Sequence, residues 1–201
     1  MLYSHEKIKK TLLGKGYKWF DDGDYDVNIV GVRNSDTGKI VTNKFDDILT
    51  ISFQIGEEWI YKEWPCTTDS GKAAVLNFTN KDGVARLVEG QYRGSHMIGL
   101  HRGQYKALRQ KSPMKVYRDK NKDLVYDENV IQKGIFGINI HRSNPKTEST
   151  LVDNWSHGCQ VFKAVDDFDD FMAICETAKE EWGNSFTYTL ISSNDIKKYN
   201  P

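Results

Sequence analysis

The sequence predicts a mostly-β single domain, a β-sandwich or barrel with short helices packed at its ends (α+β). Short runs of alternating apolar residues recur along most of the chain, separated by Gly, Asn, Asp and Pro turns. Only residues 166–182 carry a long helical periodicity. At 201 residues, 38% hydrophobic and 12% aromatic, the chain suffices for one core and is short for two. Residues 1–42 are expected to add a helix and a hairpin to the same unit, 43–192 to form the main body, and 193–201 to be a polar tail.

Residues 4–13 predict a helix, with Ser4 as cap, Ile8, Leu12 and Leu13 at helical spacing, and Gly14 and Gly16 as its stop. Val27 to Val32 reads as a strand, and the turn at Ser35-Asp-Thr-Gly38 leads to a second at Ile40-Val41. Residues 48–55 alternate, with Leu49, Ile51, Phe53 and Ile55 on one face. A strand over 59–64 is expected to end at Pro65-Cys66, and 73–78 and 85–88 predict two more across the turn at Asn80-Lys-Asp-Gly83.

Residues 86–122 hold ten Lys or Arg against Glu89 and Asp119. A solvated face accounts for such a run; so does a groove for an anionic peptide flanked by Tyr92, Arg93, His101 and Arg102. Asp119-Lys-Asn-Lys-Asp123 has the alternating oxygens that open a calcium loop, but Leu124 stands where that loop has Gly and Val130 where it has Glu. A hairpin joining Lys115-Val-Tyr to Leu124-Val-Tyr is the expectation there. Downstream, Asp166 or Asp167 is expected to cap the long helix, whose stripe runs Phe168, Phe171, Met172, Cys175, Ala178 and Trp182, and residues 186–191 form a closing strand.

Composition excludes several classes. Lys plus Arg and Asp plus Glu balance at 28 each, which gives no support for nucleic-acid binding. Cys66, Cys159 and Cys175 are too few and too scattered for a disulfide framework. No apolar run has the length of a membrane span, and the first twenty residues lack a signal-peptide core, so synthesis as a soluble cytosolic protein is expected. Nothing in the sequence implies a cofactor.

Chemistry concentrates in residues 134–162, GIFGINIHRSNPKTESTLVDNWSHGCQVF. Residues 134–141 alternate like a strand, with Phe136, Ile138 and Ile140 on one face and His141 on the smaller, more polar one. A polar loop then returns at Trp155-Ser-His-Gly-Cys, able to set His141 beside Cys159. A thiol needs a base, because the thiolate attacks and a free Cys has a pKa of about 8.5. An imidazole partner predicts that the Cys159 thiolate forms at lower pH than in a free thiol. Gly158 permits a tight turn that aims the Gly158 and Cys159 amides at an oxyanion. His157 reads as base, substrate ligand or turn-former, with His141 preferred as base. A zinc site on His141, His157 and Cys159 is the rival reading, short of a fourth ligand.

His141, fourteen residues, then Ser156-His157-Gly158-Cys159 resembles the signature of the L,D-transpeptidase (YkuD-type) catalytic domain. The resemblance is strongest over these thirty or so residues and extends plausibly from 43 to 191. It implies that Cys159 attacks a peptide carbonyl of a peptidoglycan stem, that His141 is its base, and that Gly158 and Cys159 form the oxyanion hole, with His157 a further catalytic candidate. Ser156, Asn139, Arg142, Tyr92, His101 and Arg102 are the candidate substrate contacts, and no metal is implied. The family continues Cys-x-Arg or Cys-x-Asn; here Gln160-Val161 follow, leaving open how a substrate carboxylate is held. Residues 28–33 and 43–47 faintly resemble phage and bacterial cell-wall proteins, though a solvated hairpin accounts for them equally. The expected activity is an L,D-peptidase or transpeptidase acting through a thioester, with a wall-binding module lacking catalysis as the alternative. A phage lysis protein released at lysis would reach the wall without a leader.

Overall fold

The computed structural model describes residues 2–201. Helix α1 (His5–Gly14) is capped by the Ser4 hydroxyl, which accepts from the Lys7 amide. Eight strands close a barrel in the order β1-β11-β5-β6-β9-β10-β3-β2. They are β1 (Asn28–Arg33), β2 (Asp47–Ile55), β3 (Glu58–Thr67), β5 (Gly90–His101), β6 (Tyr105–Gln110), β9 (Ile140–Arg142), β10 (Gln160–Phe162) and β11 (Phe186–Ser192). A smaller sheet pairs β4 (Val84–Leu87), β7 (Met114–Asp119) and β8 (Ile131–Gly134). Three further helices are α2 (Lys72–Leu76), α3 (Val165–Trp182) and α4 (Ser193–Tyr199). No helix among the described residues is long and apolar enough to cross a membrane.

The barrel core follows from period-two burial. Leu49, Ile51 and Phe53 of β2 meet Ile29, Leu108, Ile140, Phe162 and Leu190, while α3 lays Phe168, Phe171 and Cys175 against the same cluster. A second cluster forms where Ile8 and Leu12 of α1 pack with Val30, Val32 and Ile196. The small sheet is fastened by charge. Arg86 of β4 grips Asp69 through Nε and Nη2 at 3.0 and 3.1 Å, and Arg33 of β1 reaches Asp69 at 3.0 Å and the Leu87 carbonyl at 3.0 Å. Burial alone would raise the Asp69 pKa; the two guanidiniums hold it below the usual carboxylate range.

Several expectations are corrected. Residues 73–78 form no strand: Ala73 and Ala74 favour the helix α2, which ends where Asn77 bonds the Ala73 carbonyl. Strand β3 runs through Pro65-Cys66 to Thr67, because Pro65 needs no amide donor where it faces Ile48. The predicted hairpin at 40–41 is absent: β1 is fully buried between β11 and β2, and Ile40 bridges Val125. Tyr117 pairs with Ile131 rather than with the 124–126 segment. The alternation over 134–141 is broken; β8 and β9 stand apart, and between them the Phe136 and Ile138 amides both donate to Gln110 Oε1. Helix α3 starts at Val165 after Ala164, with Asp166 and Asp167 inside its first turn rather than at the cap. Residues 193–201 are no loose tail: Ser192 and Asp195 form a capping box, and Ile196 is buried. The hairpin β5–β6, hidden in the basic stretch, turns at Arg102 and Gly103, both at positive φ.

Cys175 is fully buried on α3 and away from the cleft described below. Cys175→Ala should lower stability by roughly 1 kcal/mol in chemical denaturation through lost packing, and leave the alkylation of Cys159 unchanged.

Candidate active site

The site is built on the parallel pairing of β9 with β10. Gln160 lies opposite Ile140 and Val161 opposite His141. Side chains alternate along a strand, so Ile140 and Phe162 enter the core while Asn139, His141 and Cys159 share the other face of neighbouring chains. Asn139, His141 and Cys159 line one cleft of about 490 Å³, a volume suited to a small ligand or a peptide segment.

Each group is held by a distinct contact. The Cys159 thiol donates to the Gly137 carbonyl at 3.2 Å. His141 Nδ1 lies 2.8 Å from the Arg142 carbonyl, which can only accept, so Nδ1 carries the proton and Nε2 is left with a free lone pair. The His101 ring stacks on His141 at 4.2 Å, and Asn139 Nδ2 donates to His101 Nδ1 at 3.2 Å. Asn139 Oδ1 in turn accepts from the Gln110 amide at 2.9 Å. Asn139 and His101 thus position the base.

The turn before β10 is stapled by Ser156. Its buried hydroxyl donates to the Cys159 carbonyl at 2.8 Å and accepts from the Gly158 amide at 3.1 Å. Gly158 has φ +125°, and a Cβ there would sit 2.5 Å from the Ala85 carbonyl oxygen. No other residue fits. This amends the two-donor oxyanion hole: the Gly158 amide already has an acceptor in Ser156, while the Cys159 amide has none among the described residues.

Electrostatics set the resting protonation. Burial drives His141 down to about 3, with His101 adding to the effect, so the imidazole is neutral at physiological pH. Burial pushes the Cys159 thiol above its ordinary value, and the Asn139 amide and Arg102 oppose this in part. The expectation of a thiolate at lowered pH is therefore overturned: the pair rests as neutral thiol and neutral imidazole, because a base that is itself desolvated does not supply a stabilising cation.

The other expected contacts divide. Arg102 and His157 line the cleft, His157 exposed at its rim with its carbonyl accepting from the Ala85 amide. Ser156 is buried and faces the turn, not a ligand. Arg142 covers the Tyr105 ring at 4.0 Å and lines an adjoining cavity of about 270 Å³ with Tyr105 and Trp155. Tyr92 does not reach the cleft; its hydroxyl donates to the Val88 carbonyl at 2.6 Å, in a hollow it shares with Arg93 and Lys133. Among residues the sequence did not single out, Arg118 lines the cleft over the Phe136 ring at 4.6 Å, and Trp155 borders both cavities. The aromatic flank Trp155 lies one residue before Ser156, a readable signal; Arg118 had none beyond its charge. His141, His157 and Cys159 do not form a zinc ligand set: no three His, Cys, Asp or Glu side chains are gathered for a metal among the described residues. Comparison with family models, curated proteins and solved structures returns no match.

Two outcomes follow from this geometry. Alkylation of Cys159 should rise with pH along a profile centred above the free-thiol value of about 8.5, and Arg102→Ala should move it further up by removing a nearby cation. A midpoint below that of free cysteine would contradict the neutral pair. Gly158→Ala should destabilise the fold by about 1–3 kcal/mol in thermal melting, because the backbone conformation and the Ala85 contact both oppose a Cβ.

Proposed function

We propose that this chain is an L,D-transpeptidase-like cysteine acyl-transfer enzyme acting on peptidoglycan stem peptides. The observation that carries the reading is that Cys159 lines the same cleft as a neutral His141 whose Nδ1 is occupied by the Arg142 carbonyl, which leaves Nε2 free to act as base. The motif over 141–159 supplies the substrate class.

The chemistry runs in two steps. As Sγ attacks the amide carbon, its proton passes to His141 Nε2 and an S–C bond forms; the Cys159 amide donates to the oxyanion, worth about 3 kcal/mol for one donor. The imidazolium returns that proton to the leaving nitrogen as the C–N bond breaks, giving a thioester. Water or an amine then loses its proton to His141 and attacks the thioester, and the thiol leaves reprotonated. The adjoining cavity, which meets the cleft along His101, Arg102, His141 and Trp155, offers the acceptor a path. Proton transfer accompanies attack, since neither partner is charged beforehand.

Val161 is fully buried with Phe45 and Val152, so nothing at that position holds a carboxylate. Arg102, lifted into the cleft by the hairpin turn, takes that part, with Arg118 on the facing small sheet. A cation therefore lines the cleft although none stands two residues after Cys159 in the sequence.

Muropeptides incubated with the protein and resolved by mass should change in the wild type and stay unchanged with Cys159→Ala of unaltered melting temperature. Arg102→Ala should raise KM about tenfold, near 1.4 kcal/mol, with kcat little affected. Full turnover by Cys159→Ala would end the assignment.

A further inference from the structure

The connection from β7 to β8, where the sequence predicts a hairpin turn, folds otherwise. Asp119, Asn121, Asp123 and Asp127 place side-chain oxygens at alternate positions, and Val125 adds a backbone carbonyl between the last two. That carbonyl takes no part in the bridge to Ile40, which uses the Leu124 carbonyl and the Tyr126 amide. The Asn121, Asp123 and Val125 amides fold back on the Asp119, Asn121 and Asp123 side chains at 3.3, 3.0 and 2.8 Å. Leu124 has φ +64°, the backbone form for which a calcium loop uses Gly, so the residue type departs from that pattern while the conformation does not.

An independent observation points to a ligand. Asp119 is 1% exposed, and its Oδ2 is buried without a hydrogen bond of normal geometry, the Asp127 amide acting on the carboxylate only weakly. A carboxylate oxygen left so is costly unless something answers it. The carboxylates of Asp123 and Asp127 lie near enough to act on its charge. Both also accept from Asn121 Nδ2 at 3.1 Å, so two acidic groups converge on one nitrogen donor.

We propose that residues 119–127 bind a calcium ion, through Asp119, Asn121, Asp123, the Val125 carbonyl and Asp127. The candidate site is empty, and its carboxylates are not drawn into a ligand set; a bound cation would take the place of the Asn121 amide nitrogen that now lies between Asp123 and Asp127. The all-oxygen donor set selects a hard cation, and a pliable loop with five ligands suits calcium better than the strict octahedron of magnesium. Val130 in place of a bidentate Glu predicts weak binding, in the roughly 10⁻⁴–10⁻³ M range of extracellular modules. The ion would brace the wall of the cleft: Arg118 precedes Asp119 on β7, and the Gly83 turn before β4 packs on the Asp119 carbonyl.

The test uses the full chain stripped with EDTA, titrated with calcium chloride by calorimetry and followed by thermal melting. Saturable heat in that range and a rise in melting temperature are expected. Asp123→Asn, at an exposed position that leaves the fold intact, should weaken binding at least tenfold. Absence of heat and of any melting shift at concentrations tenfold above the range would overturn the proposal. So would unchanged binding by Asp123→Asn, or a response to magnesium equal to that for calcium.

Discussion

The parallel register of β9 and β10 is the constraint on which the site depends. A slip of one residue would turn His141 or Cys159 into the core and remove the pair, because strand side chains alternate with period two. The register is held from both sides. Ile140 and Phe162 are fully buried among Phe168 and Phe171, so a slip would expose them. Gln160 is buried with its amide on the Asn139 carbonyl and its side chain between the Tyr188 hydroxyl and the Gly158 carbonyl. The residue found where the resembled motif has only a variable position is thus a polar lock inside the barrel, and an apolar side chain there would leave the Tyr188 hydroxyl unanswered.

The same burial that fixes the geometry sets the protonation. A base desolvated by the barrel wall and stacked on a second imidazole does not hold a proton at rest, and a buried sulfur that donates to the Gly137 carbonyl does not readily lose one, although the Asn139 amide favours the thiolate. A neutral pair is protected from adventitious alkylation and oxidation, both of which need the thiolate. In the proposed reaction, attack awaits a substrate carbonyl that accepts electron density while the Cys159 amide answers the oxygen. Arg102 serves twice in this scheme, as the cation whose charge acts on the sulfur and as the proposed partner of a substrate anion.

Much of this was legible in residue order. The strand 48–55 and the helix ending at Trp182 are local patterns, and each formed as its periodicity required. The barrel closure was not legible, since β1 meets β11 across more than 150 residues and no local pattern encodes a partner so distant. The hairpin that delivers His101 and Arg102 was masked by its charges, because a strand edging a polar cleft lacks clean alternation. The protonation state was misread for a related reason: spacing reports that two groups meet and says nothing of the solvent they lose.

The central claim is that the reaction passes through a covalent bond to Cys159. The most direct measurement is acid-quenched intact and peptide-mapped mass spectrometry of the wild-type protein incubated with a stem-peptide donor. The account predicts an added acyl mass on the peptide containing Cys159, equal to the donor less its leaving group, and lost on treatment with hydroxylamine. Turnover of the donor with no adduct at Cys159, or with the acyl group on another residue, would contradict it.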